Sequence, residues 1–136
     1  MIKKPKSTVK RIVFVCVENS CRSQIAEAFA HIHGNDRINI YSAGSHPSGV
    51  VNPKAIDVMR EKGYDLRKHH SKSLQDVPQG GYEFAVTMGC GDECPAVRAR
   101  YREDWNIPDP KNMTIEEFRT MRDLIEVKVK DLLSKL

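Results

Sequence analysis

With 136 residues, 40% of them hydrophobic and 29% charged, the chain has the size and composition of one soluble domain around one core. No run approaches the length of a membrane span, and the formal charge of +4 comes from 22 bases interspersed with 18 acids. That balance is too mild and too mixed for a nucleic-acid partner, but it suits a small anion. The basic N-terminus (Lys3, Lys4, Lys6, Lys10, Arg11) leads into no long apolar stretch, so no secretory signal is expected and the chain reads as cytoplasmic. In that compartment four cysteines suggest reactive or metal-binding thiols rather than a disulfide framework.

Residues 1–10 read as an N-terminal tail and 11–136 as a single domain. Arg11 to Val17 (RIVFVCV) is a continuous β-branched run, the pattern of a strand buried on both faces. Ser20 to His33 carries Ile25, Phe29 and Ile32 at helical spacing, stops at Gly34, and places His31 and His33 at a helix C-terminus. Residues 37–42 alternate as a second strand, closed by Ala43-Gly44. A surface loop over 45–53 ends in Asn52-Pro53, a cap and first-turn proline for a helix to about Lys62, with Gly63 as its stop. His69-His70 reads as a solvated loop pair. After the turn at 78–81 (PQGG), Glu83 to Met88 is a third buried strand, and a short fourth is expected near Arg102 to Asn106. Thr114 and Glu117 form a capping box that opens a helix running to the end of the chain on Phe118, Met121, Ile125, Val129, Leu132 and Leu136. Strands alternating with helices predict an α/β fold: a parallel sheet with helices on both faces and its ligand at the carboxyl ends of the strands.

The text at the end of the first strand is Cys16-Val17-Glu18-Asn19-Ser20-Cys21-Arg22-Ser23, followed by a helix. A strand, a tight loop and a helix N-terminus make an anion cradle, with successive N–H groups and the helix dipole directed at the ligand. Residues 17–23 are therefore the predicted substrate-binding loop. Arg22 adds a planar fork for two oxyanion oxygens. The same field favours a thiolate at Cys16, a nucleophile beside a bound tetrahedral anion. In a loop without glycine, Asn19 is the residue best able to take a left-handed conformation. Ser23 is placed to donate to the thiolate. The bland alternative is a buried strand cysteine beside a solvated arginine, and the strand–loop–helix setting argues against it.

Cys90 and Cys94 follow the third strand in Met-Gly-Cys90-Gly-Asp-Glu-Cys94-Pro95, on the rim that carries Cys16. In one helical turn their Cα atoms would lie about 6 Å apart, within reach of an exposed, reducible disulfide. A zinc site is disfavoured, because C-x4-C and C-x3-C spacings are unlike the usual C-x2-C knuckle. Cys21 reads as a packing residue. No metal ligand set is predicted.

CVENSCRS, Tyr41–Gly44 (YSAG) and Asp109-Pro110 together resemble the low-molecular-weight protein tyrosine phosphatase superfamily over about residues 11–136, and within it the arsenate reductases coupled to thioredoxin. The resemblance implies a three-layer fold on a four-stranded parallel sheet, with Cys16 as nucleophile, Arg22 as oxyanion ligand and Asp109 as general acid, Asp104 being the other candidate carboxylate. Glu18 departs from the pattern, since many members carry glycine there. For the reductase branch the resemblance implies a relay. Cys16 attacks arsenate, Cys90 resolves the adduct, Cys94 resolves the Cys16–Cys90 disulfide, and a thioredoxin-type reductant recovers Cys90–Cys94. Phosphate and sulfate would compete as anions, and the protein is expected to act as a monomer. Some relatives bind potassium at positions matching Asn19, Glu27 and Ser42 with an acid in segment 71–73. Here that segment is Ser71-Lys72-Ser73, so Lys72 is expected to supply the charge and no cofactor is required. Two alternatives stand. One is a tyrosine phosphatase, although Lys111-Asn112-Met113 replaces the tyrosines expected after Asp-Pro. The other is a non-catalytic thiol sensor or arsenite-binding module.

Overall fold

A computed structural model describes residues 9–89 and 97–136. Four strands, β1 (Lys10–Cys16), β2 (Ile38–Gly44), β3 (Tyr82–Thr87) and β4 (Ala99–Asp104), form one sheet in the order β2-β1-β3-β4. Every pairing is parallel, and Cys16 stands beside Gly44 at the carboxyl end. Three helices accompany them: α1 (Arg22–His33), α2 (Pro53–Arg60) and α3 (Ile115–Ser134).

The central position of β1 explains its unbroken apolar run, since both of its faces are covered. Ile12, Phe14 and Cys16 join the main core with Ile25 and Phe29 of α1, Val58 and Met59 of α2, and Phe118, Ile125 and Val129 of α3. Val13 and Val15 turn to the other face, against Tyr82 and Ala85, where Leu74 and Val97 also pack. All three long helices thus feed one cluster. Among the described residues the second face is covered by the 3-10 turn Leu74–Asp76 and by Val97.

Two of the expected helix starts have a local cause. Asn52 caps α2 through the Lys54 amide, with Pro53 at the first helical position. Thr114 and Glu117 make the reciprocal capping box at α3. Two details differ from the sequence reading. β4 starts three residues and ends two residues earlier than expected, because this half-exposed edge strand is rich in charged residues and carries no apolar signature. Ile32 keeps the helical spacing of Ile25 and Phe29 but is exposed near the end of α1, beyond the reach of the core. No helix among the described residues is long and apolar enough to cross a membrane.

Candidate active site

Chain reversal between β1 and α1 is held from outside by the segment that follows β2. Amides of Ser45, His46, Ser48 and Asn52 donate to the carbonyls of Cys16, Val17, Glu18 and Ser20 at 3.3, 2.7, 3.1 and 2.8 Å. The Ser71 hydroxyl adds a second donor to the Glu18 carbonyl at 2.8 Å. A planar trans peptide directs its N–H opposite its carbonyl. With these carbonyls tied to the 45–52 strap, the amides of Val17, Glu18 and Cys21 turn the other way, as an anion cradle needs, and that of Asn19 turns to the Cys16 sulfur. Asn19 makes the reversal possible with a left-handed φ of +49°, as its position in a glycine-free loop predicts.

Inside the loop a chain of donors ends at sulfur. The Asn19 amide donates to Cys16 Sγ at 3.2 Å, and Ser23 Oγ lies 2.8 Å from the same atom. The direction of that second bond follows from proton counting. Asn19 Nδ2 spends its two protons on Ser23 Oγ (2.8 Å) and Ser42 Oγ (3.0 Å), so the Ser23 hydroxyl is free to donate to sulfur. Ser42 also accepts from Lys72 Nζ at 3.2 Å and donates to Glu27 Oε1 at 2.5 Å. Asn19 Oδ1 accepts from Gln24 Nε2 and the Lys72 amide at 2.9 and 2.8 Å. Asn19, Ser23, Gln24 and Ser42 are fully buried, and each described buried side-chain polar atom has a partner. Burial pushes the Glu27 carboxyl up, but the His31 hydrogen bond, the nearby His69, the Ser42 bond and the Lys72 ammonium outweigh it and hold the group at about 2.

Cys16 opens onto a cavity of about 230 Å³ lined by the loop residues Val17, Glu18, Ser20, Cys21 and Arg22, and by Asn52, Asp109, Pro110 and Lys111. Arg22 Nη1 donates to the carbonyls of Met88 and Ile107 at 2.6 and 3.0 Å, which fixes the guanidinium at the cavity wall. Asp109 caps the 3-10 turn Pro110–Asn112 by accepting from the Lys111 amide at 3.1 Å. Asp104 is engaged elsewhere, accepting from Thr87 Oγ1 at 2.6 Å and the Gly89 amide at 3.3 Å. Cys21 is buried, and burial pushes its thiol well above the usual range, with the Cys16 charge adding to the effect. It packs in the core, as its place in the loop suggested.

Of the sequence-predicted site residues, Cys16 through Ser23 and Asp109 come together at one end of the sheet. Cys90 and Cys94 lie outside the described residues. His69 is a correction to the sequence reading: it is not a solvated loop residue but is almost fully buried, its ring held between Gln24 and Tyr64. Burial pushes its imidazole below the ordinary histidine range. Asn52 and Lys111 were not anticipated as cavity residues. The proline after Asn52 marked a helix start, and nothing local tied that cap to a loop thirty residues earlier.

Comparison with known proteins agrees with this geometry. The family model for low molecular weight phosphotyrosine protein phosphatase matches residues 11–136. A glutaredoxin arsenate reductase from Synechocystis sp. is 36% identical over 131 residues, covering 94% of this chain and 99% of that protein. A solved arsenate reductase in a phosphate-binding state superposes with a TM-score of 0.85 at 36% identity, covering 93% of this chain and 98% of the other. The thioredoxin-dependent arsenate reductase of Corynebacterium glutamicum superposes with a TM-score of 0.76 at 30% identity, covering 95% of this chain and 62% of that one. By the family match over nearly its whole length, the chain belongs to the low molecular weight phosphotyrosine protein phosphatase family.

Proposed function

We propose that this protein reduces arsenate to arsenite in the cytoplasm and is returned to its dithiol state by a thioredoxin-type reductant. The observation that carries the proposal is the Cys16 sulfur, held by Ser23 and the Asn19 amide at the floor of a cavity that also holds Arg22 and Asp109. Relatives named as arsenate reductases favour arsenic chemistry over phosphate-ester hydrolysis.

Arsenate binds to the cradle amides and the Arg22 fork. The Cys16 thiolate attacks arsenic, and one oxygen leaves as water with a proton from Asp109, which lines the cavity where Asp104 does not. A Cys90 thiolate then attacks Cys16 Sγ. The S–As bond breaks with its electron pair left on arsenic, which becomes arsenite, and a Cys16–Cys90 disulfide forms. Cys94 attacks Cys90 and releases Cys16. Two thiols lose two electrons and arsenic gains two. The external dithiol reduces Cys90–Cys94. No resident metal or cofactor enters this cycle. Where relatives use potassium, the Lys72 ammonium stands beside Ser42 and Glu27 at 3.2 and 3.6 Å.

Steady-state arsenate reduction with thioredoxin and its reductase tests the reading, with a glutaredoxin–glutathione system and phosphatase activity assayed in parallel. Cys94→Ser should release about one arsenite per chain and stall as a Cys16–Cys90 disulfide, identified by peptide mapping. Full turnover in that variant would overturn the relay and return the chain to the phosphatase reading.

A further inference from the structure

We propose that Glu27, His31 and His69 form a binding site for a divalent transition metal of the zinc type, at the outer end of the hydrogen-bonded chain that starts at Cys16. Glu27 and His31 stand one turn apart on α1, so their side chains share a face. His69 reaches them from the segment after the 3-10 turn Leu66–Lys68. His31 Nε2 and His69 Nδ1 lie 3.3 and 3.7 Å from Glu27 Oε2, and all three ligand atoms fall within 4.8 Å of one another. Tetrahedral zinc with bonds of about 2.0–2.1 Å needs its ligand atoms about 3.3–3.5 Å apart. Two separations are already near that value. The third closes by rotation of His31, the exposed member of the set.

The donor chemistry selects the ion. Two imidazoles and one carboxylate suit zinc, cobalt or nickel, whereas calcium and magnesium call for oxygen ligands. These three ligands leave the fourth position to a neutral oxygen donor, and the ion enters past His31, the exposed member.

The surroundings hold the buried ligand as metal sites require. His69 Nε2 lies 2.6 Å from the Tyr64 hydroxyl, and Nδ1 lies 2.9 Å from Gln24 Oε1. An amide oxygen only accepts, so without metal Nδ1 carries the proton and Tyr64 donates to Nε2. Metal binding at Nδ1 moves the proton to Nε2, which then donates to the Tyr64 oxygen, the outer partner that fixes the ligating tautomer. Gln24 Oε1, 2.9 Å from Nδ1 on the side the metal would occupy, exchanges that N–H for the metal and becomes an oxygen donor to it. Opposing charge comes from Lys72, whose ammonium lies 3.6 Å from Glu27 Oε1, and from Lys68, which sits over the Tyr64 ring. Lys72 faces the carboxylate oxygen that Ser42 uses, which leaves Oε2 to the metal.

The test is titration of the reduced full chain with Zn2+, followed by calorimetry and by histidine ring 15N resonances. Cobalt serves in parallel as an optical stand-in. One equivalent should bind and shift the ring resonances of His31 and His69, and cobalt bound there should lack a thiolate-to-cobalt charge-transfer band. His31→Gln alters an exposed position, and it should weaken this binding by more than the roughly 10–100-fold typical of a lost outer partner. Unchanged affinity in that variant would overturn the site. So would silent histidine rings with cobalt bound through sulfur.

Discussion

Replacing Gly44 by alanine tests whether the loop between β1 and α1 is a cradle built to close tolerance. Gly44 is not among the glycines with a left-handed φ, so alanine is not excluded by the backbone. Its neighbours are the obstacle. An added Cβ would lie 2.5 Å from the Val17 carbonyl oxygen, 2.9 Å from the Asn19 amide nitrogen and 3.0 Å from the Glu18 carbonyl carbon. All three are backbone atoms of the cradle, so no flexible side chain can swing aside. A Cβ essentially never comes within 3.0 Å of a non-bonded heavy atom, so the Val17 carbonyl must retreat by at least 0.5 Å, away from a position fixed by the His46 amide at 2.7 Å. Overpacking of this kind costs about 1–3 kcal/mol, which a fold of ordinary stability survives. Activity is more sensitive, since misplacement by about 1 Å can cost 10²-fold. Gly44→Ala should therefore melt several degrees lower, remain folded by circular dichroism, and lose roughly ten- to a hundredfold in kcat/KM for both arsenate reduction and aryl phosphate hydrolysis. Gly49→Ala is the control: its φ of +83° strains a side chain, but nothing lies within 4 Å of the added Cβ, so stability should fall while kinetics hold. A folded Gly44→Ala protein with unchanged kcat/KM would refute the cradle argument.

Arg22→Lys keeps the charge but cannot both hold the Met88 and Ile107 carbonyls and grip an anion with a fork, so sulfate affinity by calorimetry should weaken roughly ten- to a hundredfold. Asp109→Asn should slow aryl phosphate turnover by about 10²–10⁴-fold while Asp104→Asn does not, and the reverse result would move the general acid to Asp104. Cys21→Ala should keep arsenate turnover with thioredoxin within a few-fold, because burial holds that thiol protonated and in the core; loss of the protein disulfide in this variant would give Cys21 a redox role. Steady-state rates should be equal in potassium and choline salts, and potassium activation would contradict the reading of Lys72.

The parts of the fold visible in sequence were those written in local pattern. β1 announced itself as a buried strand because it lies at the centre of the sheet, and α3 did so by a capping box and a 3-4 rhythm. β4 was misplaced because a half-exposed edge strand has no such pattern. The site divides in the same way. Cys16, Asn19, Arg22 and Ser23 occupy one short loop whose chemistry depends on spacing alone. The strap over 45–52 and Lys111 reach the cavity from distant parts of the chain with no periodicity to connect them, and the Ser42–Glu27 pair was visible only through the family resemblance. His69 shows the limit most clearly. A pair of histidines between polar residues reads as solvated, yet one of them packs beneath Tyr64 because the turn at Leu66 anchors the segment in the core.

The cradle by itself does not choose between hydrolysis and reduction. Arsenate and phosphate share shape and charge, and the amides, Arg22 and the thiol engage features common to both anions. The choice comes after the covalent adduct forms. In a phosphatase, water attacks phosphorus and the Cys16–phosphorus bond breaks with its electrons on sulfur. In the proposed reductase, a second thiol attacks sulfur and the bond breaks with its electrons on the central atom. That outcome is open to arsenic, whose trivalent state is a good leaving oxyanion, and closed to phosphorus under cellular conditions. Selectivity for arsenate in this reading is therefore a property of redox chemistry rather than of binding. It requires no residue in the cavity that tells the two anions apart, only a thiol able to reach Cys16 Sγ. The buried donors Ser23 and Asn19 suit both routes, because they hold the Cys16 sulfur from which attack starts and, in the proposed relay, receive it again when Cys94 opens the disulfide.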